Sequence, residues 1–209
     1  MKILVVDDHP VVQHGLKGIL LKGFRNVVVG EAGSESEAFE QIRRHPWDLI
    51  LLDITMPGRG GLEILKQVKR EKPKLPVLIL SIHSEDLYAV RALKAGASGY
   101  LTKDAVPEKL VSAIHKVISG GKFVSEALAE KLADGLAVED DKPPHEILSD
   151  REYEVMLLLV SGKTVREIAR KLSLSEKTIS TFRARIYRKL NLTSYAQLIR
   201  YGLKHNLTD

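Results

Sequence analysis

Five short apolar runs, each followed by a stretch of helical periodicity, constrain this chain more than any other feature. Residues 2–6, 27–29, 49–52, 77–80 and 99–101 read as strands, and the block Leu49-Ile50-Leu51-Leu52 has no polar side to turn to water, as in a strand buried on both faces of a parallel sheet. Between and after them, residues 10–21, 35–45, 62–69, 85–95 and 107–118 repeat apolar side chains three and four apart. Pro10 and Pro107 suit first helical turns, Ser34 is placed to cap the second helix, and Gly96 and Gly120-Gly121 close the fourth and fifth. Alternation of this kind predicts a doubly wound α/β domain, a five-stranded parallel sheet with helices on both faces.

In such sheets the crevice for ligands lies beyond the carboxyl ends of the strands, and here those ends are polar. The first strand stops at Asp7-Asp8, the third at Asp53, the fourth at Ser81, and the fifth runs into Thr102-Lys103. Any one of these acids could simply cap a helix and bind water. As a set they would repel unless a cation neutralised them, and hard oxygen donors at a partly hydrated site suit Mg²⁺. An ion there would screen an incoming phosphoryl group while the Asp53 carboxylate attacks phosphorus in line and Lys103 faces its equatorial oxygens.

These residues, with Asp53-Ile-Thr-Met-Pro-Gly, Ala95-Gly-Ala-Ser-Gly-Tyr-Leu101 and Lys103, resemble the receiver domain of two-component response regulators, a flavodoxin-like fold, over residues 2–121. The resemblance implies that Asp53 accepts phosphate from a histidine on a sensor kinase. It also implies that Asp8 and Asp53 hold Mg²⁺ directly, that Asp7 acts mainly through water, and that the Thr55 carbonyl completes the protein ligands. Ser81 would bond the phosphoryl oxygen and Tyr100 would turn inward behind it, drawn by an added charge of about −2. Two positions depart from the family pattern. Ile82 follows the switch hydroxyl where a small residue is common, which narrows the approach to Asp53, and Asp104 replaces a frequent proline after Lys103.

The remaining third has a different character. Residues 147–209 carry 12 Lys and Arg against 6 Asp and Glu, whereas residues 1–146 carry 20 against 21, so the net charge of +5 belongs to the end of the chain. A basic module beside a neutral domain points to a polyanion, though a solvated surface has the same composition. Its pattern is wholly helical: Ser149 caps a helix to Val160, Thr164 caps 165–172, Ser173-Leu174-Ser175 is a tight corner, and 176–190 and 195–203 follow. Two helices about a three-residue turn form a helix-turn-helix. In the longer helix Ile179, Phe182, Ile186 and Leu190 share one side, leaving Lys177, Ser180, Thr181, Ala184, Arg185 and Arg188 on the other.

Leu148-Ser-Asp-Arg-Glu-Tyr-Glu-Val, Glu167-Ile-Ala-Arg-Lys-Leu and residues 174–190 are similar to the LuxR-type helix-turn-helix that ends response regulators of the NarL/FixJ kind. The similarity implies that Ser180, Thr181, Ala184 and Arg185 face the major groove of promoter DNA. Thr164, Ser175, Lys177, Thr178 and Arg188 would meet phosphates, which hold register without reading sequence. The final helix would pair two DNA-binding domains into a homodimer on phosphorylation or DNA binding.

The expected organisation is a receiver at 1–121, a linker at 122–146 with a short helix capped by Ser125, and an all-α four-helix DNA-binding domain at 147–209. The expected function is Mg²⁺-dependent, phosphorylation-controlled transcription regulation, with phosphotransfer and dephosphorylation confined to Asp53. A phosphohydrolase using Asp53 as nucleophile and a protein-binding adaptor are the alternatives. With no cysteine, no signal-peptide pattern and no run of eighteen apolar residues, the sequence fits a cytoplasmic protein that stays off membranes.

Overall fold

The computed structural model describes residues 1–58, 60–137 and 143–207, with the backbone alone at 131 and 133–137. Within it the chain forms two compact units, Met1–Ala133 and Asp134–Asp209. The first holds strands β1 (Lys2–Val6), β2 (Val28–Ala32), β3 (Leu49–Asp53), β4 (Val77–Ser81) and β5 (Gly99–Thr102). They alternate with helices α1 (Pro10–Gly23), α2 (Glu35–Arg44), α3 (Gly61–Glu71), α4 (Glu85–Lys94) and α5 (Val106–Ile118).

All four strand pairings are parallel, in the order β2-β1-β3-β4-β5. The strand order reverses its sense between β1 and β3, so the ligand crevice of this topology opens there. Register then decides what meets in it. Val6 pairs with Leu52, Asp53 with Leu80 and Ser81 with Thr102, so the polar residues that end four strands stand level along one edge. Ile3, Val5, Leu49, Leu51, Leu78 and Leu80 pack with Leu16 and Leu20 of α1 and Leu110, Ala113 and Ile114 of α5. Their alternates Leu4, Val6, Ile50, Leu52 and Ile79 are equally buried and point to the opposite face by the two-residue period of a strand.

The second strand differs from its expected bounds, running through Gly30-Glu31-Ala32. It is an edge strand and only half-covered, so it carries little apolar signal. Gly30 is there because the Trp47 ring lies against it, 2.2 Å from where a Cβ would stand. Ser34 caps α2 as expected, accepting the Glu37 N–H at 3.3 Å.

Phe123, beyond α5, bridges to Gly99 and accepts the Tyr100 N–H at 3.0 Å. Ser125 then caps α6 (Glu126–Ala137) by accepting the Leu128 N–H and donates to the Glu85 carboxylate. Of the expected linker at 122–146, residues 138–142 lie outside the described residues.

In the second unit a short turn (Pro144–Ile147) leads into α7 (Asp150–Val160), α8 (Val165–Leu172), α9 (Glu176–Lys189) and α10 (Tyr195–Lys204). Ser149 with Glu152 and Thr164 with Glu167 form reciprocal capping boxes on α7 and α8. Ser173 takes the left-handed conformation at the corner, φ 54°, and Ser175 caps α9. The α7 helix packs against α8, α9 and α10. No helix among the described residues is long and apolar enough to cross a membrane.

The turn from β3 into α3 is closed by the Gly61 N–H on the Ile54 carbonyl at 3.0 Å. A Cβ on Gly61 would stand 2.3 Å from the Asp53 carbonyl oxygen and 2.6 Å from Ile54 Cα, both backbone atoms that cannot swing away. Gly61→Ala is expected to destabilise the first unit by about 1–3 kcal/mol, measured as a lower urea midpoint.

Candidate functional site

The carboxyl edge of the sheet gathers Asp7, Asp8, Asp53 and Lys103. Asp53, at the last position of β3, is 2% exposed, and Asp7, one residue past β1, is 1% exposed. Lys103 follows β5 and reaches back to donate to Asp7 Oδ2 at 2.7 Å and to Asp53 Oδ2 at 2.8 Å. The remaining carboxylate oxygens are held by the backbone: Asp53 Oδ1 accepts the Thr55 N–H at 3.0 Å, and Asp7 Oδ1 accepts the His9 N–H at 2.9 Å. Asp8 is less buried, but its Oδ1 is sealed from solvent with no hydrogen-bond partner.

One ammonium therefore serves two of the three acids. Burial tends to strip the charge from Lys103, yet the fields of Asp53 and Asp7 and the bonds they accept outweigh it, and its pKa lies above the ordinary lysine value. For Asp53 burial is the largest influence and pushes the carboxyl up; the pull of Lys103 and the Thr55 N–H does not fully offset it, and Asp7 pushes the same way as burial. Three carboxylates facing one ammonium leave two negative charges over, the deficit that a divalent cation fills. The unpartnered Asp8 Oδ1 and a donor set of Asp7, Asp8, His9 and Asp53, with ligand atoms within 4.8 Å of one another, fit such an ion.

Ser81 and Tyr100 meet at a residue that sequence reasoning missed. Ser81 is fully buried and its Oγ accepts the His83 N–H at 3.0 Å, while the Tyr100 hydroxyl donates to the His83 carbonyl at 3.0 Å. The Tyr100 ring is packed inward, at 0% exposure. The bonds resolved for the Ser81 hydroxyl run to the β4–α4 segment and not to Asp53. Ile82 is 65% exposed beside it. Thr55 contributes its N–H to Asp53, and its side-chain oxygen is buried without a partner. His9 was also missed, although its place directly after two acids was a visible signal.

In the second unit Lys177, Ser180, Thr181, Ala184, Arg185 and Arg188 are exposed on α9, opposite the buried Ile179 and Ile186. No carboxylate among the described residues pairs with Lys177, Arg185 or Arg188, whereas Lys189 on the flank binds Glu152 at 2.6 Å. The hydroxyls are more committed. Ser175 Oγ accepts the Thr178 N–H and lies 2.8 Å from Thr178 Oγ1, Thr181 donates to the Lys177 carbonyl at 2.9 Å, and Thr164 donates to Glu167 at 2.7 Å. The guanidinium and ammonium groups keep their donors outward.

Two family models cover most of the chain. Residues 3–115 match the response regulator receiver domain, and residues 146–202 match the bacterial regulatory proteins of the luxR family. Among curated proteins, response regulator UvrY of Escherichia coli (strain K12) is 36% identical over 212 residues, spanning 100% of this chain and 96% of the relative. Response regulator GacA of Pseudomonas syringae pv. syringae is 36% identical over 210 residues, spanning 100% and 98%. Among solved structures, RcsB from Salmonella enterica serovar Typhimurium bound to promoter rprA in the presence of the phosphomimetic BeF3- matches with a TM-score of 0.64 at 27% identity, covering 96% of this chain and 98% of that one.

Two outcomes follow from the acid cluster. Lys103→Met leaves buried carboxylates uncompensated and is expected to cost about 3–5 kcal/mol without divalent ions, with part of the loss recovered when 10 mM MgCl₂ is added, on the order of RT ln(1 + [L]/Kd); paired denaturant curves measure both. Because the Asp53 pKa is raised on folding, its contribution to stability is full below the ordinary aspartate range and is lost as pH rises through the raised value. Asp53→Asn is therefore expected to melt above the parent at neutral pH in chelator, with the gap closing as the pH falls to about 4.

Proposed function

The chain belongs to the response regulators that join a receiver domain to a LuxR-type DNA-binding domain, and from that premise we propose that phosphorylation of Asp53 controls its binding to promoter DNA. The observation that carries this reading is the meeting of Asp53, two further acids and Lys103 at the β1/β3 crevice, in a chain whose second unit presents unpaired cations along α9.

Asp53 is the phosphoacceptor. One of its carboxylate oxygens attacks the phosphorus of a phosphohistidine on a sensor kinase, the P–N bond breaks, and the histidine nitrogen takes up a proton. The product is an acyl phosphate. Asp7, Asp8, Asp53 and the Thr55 carbonyl are the residues to hold Mg²⁺, which when bound would neutralise charge between the acids and the incoming phosphate. Lys103, already bridging Asp7 and Asp53, faces the equatorial oxygens. Ser81 leaves its bond with the His83 N–H to meet the phosphoryl group, which releases one of the contacts that hold His83. Tyr100, bonded to the carbonyl of the same residue, carries that change to the α4–β5 surface. Dephosphorylation at Asp53 resets the switch, and no further turnover chemistry is assigned.

On DNA, α9 enters the major groove with Ser180, Thr181, Ala184 and Arg185 toward base edges. Lys177, Thr178 and Arg188, with Thr164 and Ser175 at the helix caps, lie toward phosphates. Ile199 and Leu203 on α10 give the face on which a homodimer forms, Leu203 being 61% exposed. RcsB bound to a promoter in the presence of a phosphomimetic supports the same coupling here. The protein works in the cytoplasm, where kinase and promoter are both accessible.

The test uses a duplex selected from a random pool by the full-length protein. Acetyl phosphate with Mg²⁺ is expected to tighten binding about tenfold, and Asp53→Ala to abolish that response without changing basal affinity. An equal gain in Asp53→Ala rules out control through this carboxylate. Arg185→Ala should lower affinity for the selected duplex by about 1–3 kcal/mol while sparing unselected DNA.

A further inference from the structure

The reading of the acid cluster as a phosphoacceptor site assigns no role to one member of its donor set, the imidazole of His9. The ring is 63% exposed, but its Nδ1 faces inward, 3.3 Å from Asp7 Oδ1 and 3.1 Å from Asp8 Oδ1. We propose that His9 Nδ1 is a ligand of the same divalent ion, giving the site a nitrogen donor and a preference for first-row transition ions, Mn²⁺ through Zn²⁺, over Mg²⁺. The inference rests on the reading of this cluster as a divalent-ion site.

Three observations carry it. His9 Nδ1 lies within 3.3 Å of a carboxylate oxygen on each of Asp7 and Asp8, a spacing at which an imidazole nitrogen and carboxylate oxygens can converge on one cation. The Asp7 contact has hydrogen-bond geometry; the closer approach, to Asp8, lacks it. Asp8 Oδ1 remains buried and unpartnered; an ion between nitrogen and oxygen satisfies both atoms. Secondly, ligands that share an edge of an octahedron with bonds of about 2.1 Å lie about 3 Å apart, which is the spacing of His9 Nδ1 and Asp8 Oδ1. Thirdly, the two negative charges left after Lys103 are met by a divalent ion, and a neutral imidazole adds a ligand without adding charge. Carboxylate and carbonyl oxygens alone suit Mg²⁺; imidazole shifts preference along the transition series.

The experiment loads the full-length protein with Mn²⁺ and records pulsed electron paramagnetic resonance, alongside calorimetric titrations with Mn²⁺ and Mg²⁺ on the parent and His9→Asn. The parent is expected to show coupling of Mn²⁺ to an imidazole ¹⁴N that disappears in His9→Asn. Mn²⁺ affinity should fall about tenfold or more in the variant, and Mg²⁺ affinity should stay within about twofold. Metal-free melting of His9→Asn should match the parent, as befits an exposed side chain. Bound Mn²⁺ without nitrogen coupling in the parent overturns the role of His9 and leaves the acid site standing, as does an equal loss of Mn²⁺ and Mg²⁺ affinity in the variant. Saturable binding of neither ion overturns both readings.

Discussion

The first unit is arranged around a shortage of positive charge. Lys103 is the one ammonium within hydrogen-bond reach of Asp7 and Asp53 among the described residues, and it holds both at 2.7–2.8 Å. Asp8 Oδ1 is left without a partner. A buried ion pair of this kind contributes little net stability, and its use lies in what it leaves unsatisfied. A site that is short of cations when alone is one that a divalent metal ion can complete. Parallel topology makes the shortage possible, since it brings the polar ends of separate strands to one edge and buries their apolar bodies behind them.

That edge was legible because residue type alone reports it. Apolar runs that stop at Asp7-Asp8, Asp53, Ser81 and Lys103 need only the right strand order to converge, and alternation with helices leaves few orders to choose from. The edge strand was harder: Gly30 and Glu31 belong to β2 because β1 offers them ladder partners and Trp47 covers the glycine, neither of which is a local signal. The meeting of Ser81 and Tyr100 at His83 was not legible for a different reason. Both side chains bond to the backbone of His83, and a peptide group carries no mark of identity in the sequence.

The second unit shows the same division. Apolar spacing placed α9 and its outward cations, since a three-and-four period needs no tertiary information. The roles of Thr164 and Ser175 are less separable from sequence, because one hydroxyl can cap a helix and also stand where a phosphate would lie. In the structure each is engaged in a cap, so these residues hold helix ends in place whatever else they touch.

The two capping boxes have a consequence for how the chain acquires its shape. Each is closed between residues three apart, Ser149 with Glu152 and Thr164 with Glu167, so α7 and α8 are started by contacts that cost almost no loop closure. The sheet, in contrast, must join Asp7 to Lys103 across 96 positions. Contacts so distant slow folding, and local ones speed it. A chain leaving the ribosome thus makes its slow unit first and its fast unit last, and the α7–α8 corner can form within the time that the parallel sheet is still searching for its register.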